Sequence, residues 1–375
     1  MMIVRIGDIF ESDAQTLVNT VNCVGIMGKG IALGFKKRFP DMHEDYVQRC
    51  TAGQVRLGQP YLYRRLTPPC ILNFPTKDHW RSVARIQDIV RGLEFLEEHF
   101  REWGIISLAV PPLGCGEGQL EWRVVGPTLY RYLKRLGVPV ELFAPFGTPH
   151  EDLRPTFLDD AVGQQSAPSR QDGTYRVSPA WIALVEILHG IEREPYHWPV
   201  GRTTFQKLAY FATEAGIPTG LEYRRGSYGP YAPALKRHVT ALVNNGLILE
   251  DRLGRMFAVR TGETFEDARR AYAEQVEGWR EVIKKVTNLF MRMNTQQAEV
   301  AATVHFAASE LRRAGQQRPA ELDILRQVMQ WKQKRRPPLE HKEVAVTIRN
   351  LNILSWIGAE VSEDLPVTEE ELLSV

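Results

Sequence analysis

The sequence predicts an α/β domain, with a mixed sheet sandwiched by helices, followed by a mainly α-helical region with a winged-helix-like portion. Three observations lead to this fold class. The segment 105–110 is a short, almost wholly apolar run, as expected for a strand buried on both faces. Residues 83–103 carry apolar side chains every three or four positions, which indicates an amphipathic helix. Helical periodicity dominates after residue 264.

The elements of the first part alternate along the chain. We predict a first short strand closed by Asp8, a strand that begins at Ile71 and ends at Phe74-Pro75, and further strands at 18–22, 105–110 and 138–144. Helices are predicted at 31–38, 83–103 and 122–136. Two glycine-rich loops, 25–30 and 114–118, follow predicted strands. Because α/β sheets bind ligands in loops at the carboxyl ends of strands, we expect these two loops to converge on one site.

The second part begins after a polar, aperiodic stretch. We predict a domain over 1–150, a linker over 151–178 and a helical domain over 179–375. Helices near 182–188, 205–213 and 231–244 precede strands 246–250 and 255–259 around the turn 251–254, an order typical of a winged helix. Longer helices are predicted at 264–291, 295–313, 320–332 and 340–356. Asn294 and Gln297 are spaced as a capping box, and an acidic segment after Gly358 is interpreted as a solvated tail.

Composition excludes several classes of protein. The 375 residues carry a net charge of +2, too small to attract nucleic acid by bulk charge. The four cysteines show no spacing suited to zinc, so we predict ordinary reduced thiols and no metal or cofactor. No apolar run is long enough to span a membrane and no signal-peptide pattern is present, which predicts a cytoplasmic protein without a membrane partner.

The glycine-rich turn Gly28-Lys29-Gly30 follows the strand that ends at Asn22. Glycine backbone can approach a ligand closely and helix-terminal amides favour anions, so the unit is a candidate cradle for a diphosphate. It is neither a P-loop nor a GxGxxG dinucleotide motif, because Gly30 follows Lys29 and the next glycine is Gly34. From the residues alone, a mere tight turn is an equally good reading.

The motifs of the first part together resemble the macrodomain family, whose members bind ADP-ribose. The matching segments are 7–9 (Gly-Asp-Ile), 18–22, 28–30 and 112–118. The Leu-Gly-Cys-Gly of 113–116 and a lysine that follows a strand in the segment 71–77 are more specifically similar to the terminal ADP-ribose glycohydrolase class. A macrodomain joined by a linker to a helical domain resembles the DarG-type antitoxins, partners of the DarT transferase toxins.

The resemblance implies roles for individual residues. It places Asp8 and the Ile9 amide at the adenine and Asn22 at the distal ribose. The backbones of two loops would wrap the diphosphate and distal ribose, through Gly28, Lys29, Gly30, Gly114, Cys115, Gly116, Glu117 and Gly118.

Lys77 stands where the resemblance places a catalytic lysine. A neutral amine could attack the ribose C1″, whereas a cation could donate to a leaving thymine carbonyl, and the sequence does not choose between them. Related protein-directed enzymes carry an aspartate where this chain has Gly118, with Glu117 adjacent but out of register. That departure argues against a simple mechanism in which an aspartate resolves a lysine adduct.

The resemblance implies an antitoxin that hydrolyses ADP-ribose from thymine bases of single-stranded DNA and blocks a DarT-like toxin through its C-terminal domain. The expected partners are ADP-ribose, ADP-ribosylated single-stranded DNA and that toxin. Two alternatives stay open: an ADP-ribose-1″-phosphate phosphatase or deacylase, and a non-catalytic ADP-ribose-binding DNA-binding regulator. The basic run 236–238 in the predicted helix 231–244 keeps the regulator open.

Overall fold

The structure, a computed structural model, describes residues 2–159, 177–253 and 256–367, without the side chains of 252–257. Most of the predicted linker, part of the turn 251–254 and the acidic residues 369–371 lie outside the described residues. The chain divides into two compact units. The first unit comprises 1–182, 239–249 and 261–277, and the second comprises 183–238, 250–260 and 278–375.

A six-stranded mixed sheet organises the first unit. Its strands are β1 (Met2–Arg5), β2 (Thr16–Asn22), β3 (Tyr61–Tyr63), β4 (Cys70–Lys77), β5 (Leu108–Val110) and β6 (Val140–Phe143). They lie in the order β1-β6-β5-β2-β4-β3. Only β3 runs antiparallel to its neighbour. The predicted fold class of the first part is therefore confirmed.

Helices cover this sheet. They are α1 (Gly30–Arg38), α2 (Pro40–Thr51), α3 (Ile86–His99), α4 (Trp122–Arg135) and α5 (Pro155–Leu158), with 3-10 turns at Ile9–Glu11 and His150–Leu153. Helix α3 buries the predicted apolar stripe. It approaches β4 so closely that a Cβ built on Gly92 would lie 2.4 Å from Phe74 Cζ. This contact holds β4, and with it the strand end that carries Lys77, firmly in the sheet.

The predicted strand 105–110 is only partly right. Regular pairing begins at Leu108, and the side chain of Ile106 is 68% exposed rather than buried. The backbone of Ser107 already supports the neighbouring strand, since its carbonyl accepts from Thr16 N at 3.1 Å. An apolar run does not by itself reveal where pairing starts.

The first unit extends beyond the predicted domain 1–150. Residues 150–158, assigned to the end of that domain and the start of the linker, are helical, and Asp152 and Leu158 are buried. Trp122 Nε1 donates to the carbonyl of Asp152 at 3.3 Å. Arg131 also reaches Asp267 in two hydrogen bonds of 3.0 and 2.8 Å. The predicted boundaries at 150 and 178 describe which segments fold independently, and they stay a prediction.

The rest of the described chain is mainly helical, as predicted. Its elements are α6 (Pro179–Glu192), α7 (Arg202–Glu214), β7 (Arg224–Gly226), β8 (Gly229–Tyr231), α8 (Leu235–Asn244), β9 (Ile248–Leu253), β10 (Met256–Thr261), α9 (Phe265–Ala271), α10 (Ala273–Glu277), α11 (Arg280–Phe290), α12 (Thr295–Arg313), α13 (Glu321–Lys332) and α14 (His341–Ile353). Strands β9 and β10 form the predicted hairpin. Asn294 and Gln297 form the predicted capping box of α12.

Three predictions for this part are wrong. Tyr231 lies in β8, paired with Arg224, so the helix predicted at 231 begins at Leu235. The helix predicted over 264–291 is interrupted at Tyr272 and Trp279, whose φ angles of −113° and −110° leave the helical range. The segment after Gly358 is not merely a solvated tail, because Ala359 and Leu365 are buried and Glu360 O accepts from Glu321 N at 3.0 Å.

Some negative findings hold for the described residues. Within them, no helix is long and apolar enough to cross a membrane. Nor does the described part bring three or more histidine, cysteine or acidic side chains together in a way that could hold a metal ion. The four cysteines are free thiols, as predicted.

Candidate functional site

Three loops meet at one edge of the sheet in the first unit. They follow β2, β4 and β5, three neighbouring parallel strands. Because parallel strands present their carboxyl ends at the same edge, the loops 22–30, 77–82 and 111–118 converge there. The predicted convergence of the two glycine-rich loops is thus confirmed, and the third loop brings Lys77 to the same place.

Lys77 is the last residue of β4 and is aligned with Asn22 of β2. Its Nζ donates to the carbonyl of Glu117 at 3.3 Å and to that of Trp80 at 3.5 Å. Partial burial lowers the pKa of the Lys77 amine, and the negative charge of Glu117 opposes that shift. The amine is therefore fixed between two loops and loses its proton more readily than a free lysine does.

Asn22 organises the loop that follows it. Its side-chain oxygen accepts from Val24 N at 3.0 Å and from Ile26 N at 3.3 Å, and its amide nitrogen donates to Ile26 O at 2.6 Å. The buried Tyr46 hydroxyl donates to the same residue, at 2.8 Å to its carbonyl and 3.0 Å to its side chain. The structure thus gives Asn22 a positioning role, and its expected contact with the distal ribose stays a prediction.

The two glycine-rich loops at this edge of the sheet both contain backbone amides that lack a hydrogen-bond partner. Gly30 has a φ of +54°, and a Cβ built on it would lie 4.0 Å from Glu117 Cγ, so the loops 28–30 and 114–118 are adjacent. In the described structure, the amides of residues 28–30 and 116–118 donate no hydrogen bond. Unpaired N–H groups in succession form a concavity suited to an anion.

The glycines at 114 and 118 are required by packing. Gly114 has a φ of +78°, and a Cβ on it would lie 2.6 Å from Leu120 Cδ1. A Cβ on Gly118 would lie 2.5 Å from Gly114 O and 2.8 Å from Ala84 Cβ. The loop in its present conformation therefore has no room for a side chain at 118, where related enzymes carry an aspartate.

Cys115 and Glu117 contribute to this loop in different ways. The Cys115 side chain is buried, with Sγ 3.8 Å from Leu113 O, and its amide donates to Pro112 O at 3.0 Å. The Cys115 amide could therefore bind the ADP-ribose ligand, as predicted from the sequence, only if its hydrogen bond to Pro112 were broken. Glu117 is exposed and stands beside Lys77.

Asp8 and Ile9 lie at another part of the sheet edge, after β1, which β6 and β5 separate from β2. The exposed Asp8 carboxylate caps the 3-10 turn by accepting from Phe10 N at 3.0 Å, and the Ile9 side chain is buried. The predicted role of Asp8 and Ile9 at the adenine stays a prediction.

Sequence reasoning missed two residues of the site. Trp80 is a partly exposed aromatic whose carbonyl accepts from Lys77, and Tyr46 fixes Asn22 from helix α2. An aromatic between His79 and Arg81 directly after a strand end could have indicated the first. No local signal indicated Tyr46, since it is distant in sequence from the loop.

Residues 18–129 match the family model of the Macro domain. A DNA ADP-ribosyl glycohydrolase of Thermus aquaticus is 38% identical over 256 residues, which are 66% of this chain and 66% of the relative. A DNA ADP-ribosyl transferase–DNA ADP-ribosyl glycohydrolase fusion protein of Thermosipho africanus is 40% identical over 175 residues, 41% of this chain and 45% of that protein. The solved macrodomain of Mycobacterium tuberculosis DarG is 43% identical and covers 39% of this chain and 98% of its own, with a TM-score of 0.38. The chain thus spans just under two thirds of the length of the Thermus relative.

Proposed function

We propose, because the N-terminal part of the chain belongs to the macrodomain family, that the protein hydrolyses ADP-ribose from thymine bases of single-stranded DNA. The observation that carries the proposal is Lys77, fixed at the edge where three strand ends meet and flanked by two sets of unpaired backbone amides. The similarity to proteins named DNA ADP-ribosyl glycohydrolase supports DNA as the bearer of the modification.

The backbone would hold the ligand. The amides of 28–30 and 116–118 suit the two phosphates, because several N–H groups can share a diphosphate without a matching side chain. Asp8 and Ile9 would take the adenine at the other end of the ligand, with Asn22 at the distal ribose through the loop it organises. This arrangement would leave the distal ribose, whose C1″ carries the base, near Lys77.

Lys77 would act in one of two ways. As a neutral amine it attacks C1″, the C1″–N bond breaks, and the electron pair leaves on the thymine imide nitrogen, which takes up the proton that the attacking nitrogen loses. Water then displaces the lysine from C1″, giving the free C1″ hydroxyl and the neutral amine. As a cation it donates to the thymine carbonyl while water attacks C1″ directly. The lowered pKa of Lys77 supports the first route, and the opposing charge of Glu117 keeps the second available.

The experiment is incubation of the full chain with an ADP-ribosylated thymidine oligonucleotide, measuring free ADP-ribose. We expect Lys77→Ala to bind ADP-ribose within a few-fold of the parent but to release it at least roughly a hundredfold more slowly, the usual worth of a positioned acid–base or nucleophilic group. Lys37→Ala, which removes an exposed lysine from α1, is the matched control and should leave the rate unchanged.

Undiminished release by Lys77→Ala would refute the assignment and favour a reader of ADP-ribose. Activity of the parent on ADP-ribose-1″-phosphate or O-acetyl-ADP-ribose, with none on the oligonucleotide, would favour the phosphatase or deacylase instead. Borohydride reduction during turnover separates the two routes, because only the amine route leaves a reducible adduct on Lys77.

We further propose that the helical part binds and inhibits a DarT-like transferase. The Thermosipho relative carries transferase and glycohydrolase in one chain, which supports a functional pairing of the two. A transferase acting on single-stranded DNA needs a basic groove, and acidic side chains fixed on a folded surface could occupy it in competition with phosphates. Glu363 and Asp364 are exposed on a segment that the packed Leu365 and Ala359 hold in place.

The test mixes the full-length Lys77→Ala protein with a transferase and measures DNA modification. We expect inhibition that single-stranded DNA and salt both weaken, and weaker inhibition by Glu363→Lys/Asp364→Lys, a pair that leaves the buried residues intact. Separate elution of the two proteins at micromolar concentration would remove this half of the proposal and leave the hydrolase.

A further inference from the structure

The second unit contains a cavity of its own. Its volume is about 570 Å³, and it lies between helix α7 and the β7–β8 hairpin. The lining includes Gln206 and Lys207 of α7 and Arg224, Tyr228 and Tyr231 of the hairpin. Cavities of several hundred cubic ångströms with a few convergent polar groups are typical of small-molecule sites.

Lys207 of helix α7 is one of the residues that line this cavity. Its side chain is only 1% exposed, and Nζ donates to the carbonyl of Pro230 at 2.8 Å. An ammonium carries three donors, and in the described part of the chain Lys207 makes no ion pair. Burying a charge is costly, and the carboxylate of Glu299 acts on Lys207 only through space, without a direct ion pair. A ligand that brings a negative charge into contact with this ammonium would therefore be stabilised.

The carboxylate of Glu299, whose charge acts on Lys207, is already hydrogen-bonded to two other cations. Glu299 accepts from Lys332 Nζ at 2.8 Å and from Arg335 at 3.2 and 3.3 Å. Burial and the charge of Lys332 lower the pKa of Lys207 to about 8, so most of it still carries its proton at neutral pH. Lys207, Lys332 and Arg335 are thus offset by one carboxylate, and this group, of which Lys207 lines the cavity, keeps a surplus of positive charge.

The hairpin is built closely over Lys207. Gly229 has a φ of +86°, and a Cβ on it would lie 2.8 Å from Thr303 Oγ1 and 3.5 Å from Lys207 Nζ. Arg225 is fixed by Glu310, with distances of 2.9 and 2.6 Å to one carboxylate oxygen. Arg224 is exposed and forms no ion pair among the described residues. The wall is therefore rigid, and one arginine is available at the mouth.

We propose that this cavity binds the phosphate of a nucleotide, with Lys207 and Arg224 holding the phosphate oxygens and Tyr228 packing against the base. A phosphate carries up to two negative charges and several acceptors, which match a buried ammonium and a free guanidinium. Tyr228 is 66% exposed, and such a ring beside a cationic groove is the arrangement on which bases stack. A carboxylate side chain would need neither the second cation nor the aromatic face.

The test measures binding of dTMP to the full chain by calorimetry, both without and with saturating ADP-ribose, so that any dTMP bound in the macrodomain site is recognised. We expect one saturable site, with inorganic phosphate as a weaker competitor. Lys207→Met and Arg224→Ala should each weaken dTMP binding at least roughly tenfold, the worth of one charge-assisted hydrogen bond. Arg318→Ala, an exposed arginine elsewhere in the unit, is the control and should change nothing.

The remaining comparisons make each outcome decisive. Tyr228→Ala should weaken dTMP but not inorganic phosphate, and a thymidine pentanucleotide that binds more tightly than dTMP identifies a strand rather than a free nucleotide as the source of the phosphate. No saturable binding, or binding that Arg224→Ala leaves intact, overturns the proposal even if Lys207→Met fails to fold. A hexaglutamate peptide that competes while Tyr228→Ala has no effect would assign the cavity to an acidic protein segment. The macrodomain activity on modified DNA is independent of every result here.

Discussion

Replacing Gly118 with alanine tests whether the loop beside Lys77 is held by packing, as its geometry indicates. The added Cβ would lie 2.5 Å from the carbonyl oxygen of Gly114 and 2.8 Å from Ala84 Cβ. Neither neighbour is the flexible end of a side chain. The same carbonyl accepts from Leu120 N at 3.0 Å, and Gly118 O accepts from Ala84 N at 3.0 Å.

The backbone must therefore move, and overpacking of this kind costs about 1–3 kcal/mol. The movement would also displace the amides of 116–118 from the anion that we propose they bind. We expect Gly118→Ala to lower the free energy of unfolding of the first unit by that amount and to weaken ADP-ribose binding at least roughly tenfold. Gly118→Asp, which restores the acid of related enzymes, should lose at least as much and gain no activity.

Gly116→Ala is the matched control two residues away. A Cβ there meets nothing within 4 Å, and the residue is exposed. We expect its effect on stability to stay within about 0.5 kcal/mol, as for other surface substitutions.

Urea unfolding followed by tryptophan fluorescence measures the stability. The transition that ADP-ribose moves to higher urea belongs to the unit that binds it, because a ligand stabilises only the state to which it binds. Equal midpoints and equal ADP-ribose affinities for Gly118→Ala and the parent would refute the packing argument. Equal losses in both alanine variants would show that the close contacts of a Cβ at 118 are not what decides the effect.

Three further predictions concern charge and capping. Glu117→Gln should slow ADP-ribose release less than Lys77→Ala does. Because Glu117 raises the pKa of Lys77, Glu117→Gln should also move the midpoint of the pH–rate profile of release to lower pH, and an unchanged midpoint would contradict this. Burial raises the pKa of Asp152 from 3.8 to about 6, so the folded state holds this proton more tightly and the free energy of unfolding falls as pH rises from about 4 to 6. The urea midpoint of Asp152→Asn should not show this pH-dependent fall, and the same pH profile for variant and parent would contradict the prediction. Asn294→Ala should cost the second unit about 0.5–2 kcal/mol by calorimetry, with the exposed Arg292→Ala near zero, whereas equal values would remove the capping box as a source of stability.

Local signals in the sequence predicted their elements well. Helix α12 has the predicted bounds, because Asn294 and Gln297 satisfy its first amides within one turn. The place of Lys77 followed from a strand end and the shared edge of parallel strands. Both inferences needed only neighbouring residues or the general geometry of a sheet.

Distant partners account for what the sequence did not predict. The Asn22 side chain, besides its bonds within its own loop, accepts a hydrogen bond from Tyr46 on a different element. Tyr231 left the predicted helix because it pairs with Arg224 across a tight turn. Arg131 and Asp267 lie 136 positions apart, and no periodicity joins them. Each of these contacts joins residues that are distant in sequence and depends on the tertiary fold.

The division of the first unit into three stretches of chain bears on how the protein is made. A ribosome delivers residues 1–182 early, but the last stretch of that unit ends only at residue 277. At elongation rates of roughly 5–20 residues per second, the sheet with Lys77 waits about 5–20 s for its remaining residues. During that interval Ile86 lacks Gly246, beside which it packs in the finished unit, and the surface around it is uncovered. A nascent chain arrested before residue 239 is therefore expected to be more susceptible to protease in this unit than one arrested after residue 277.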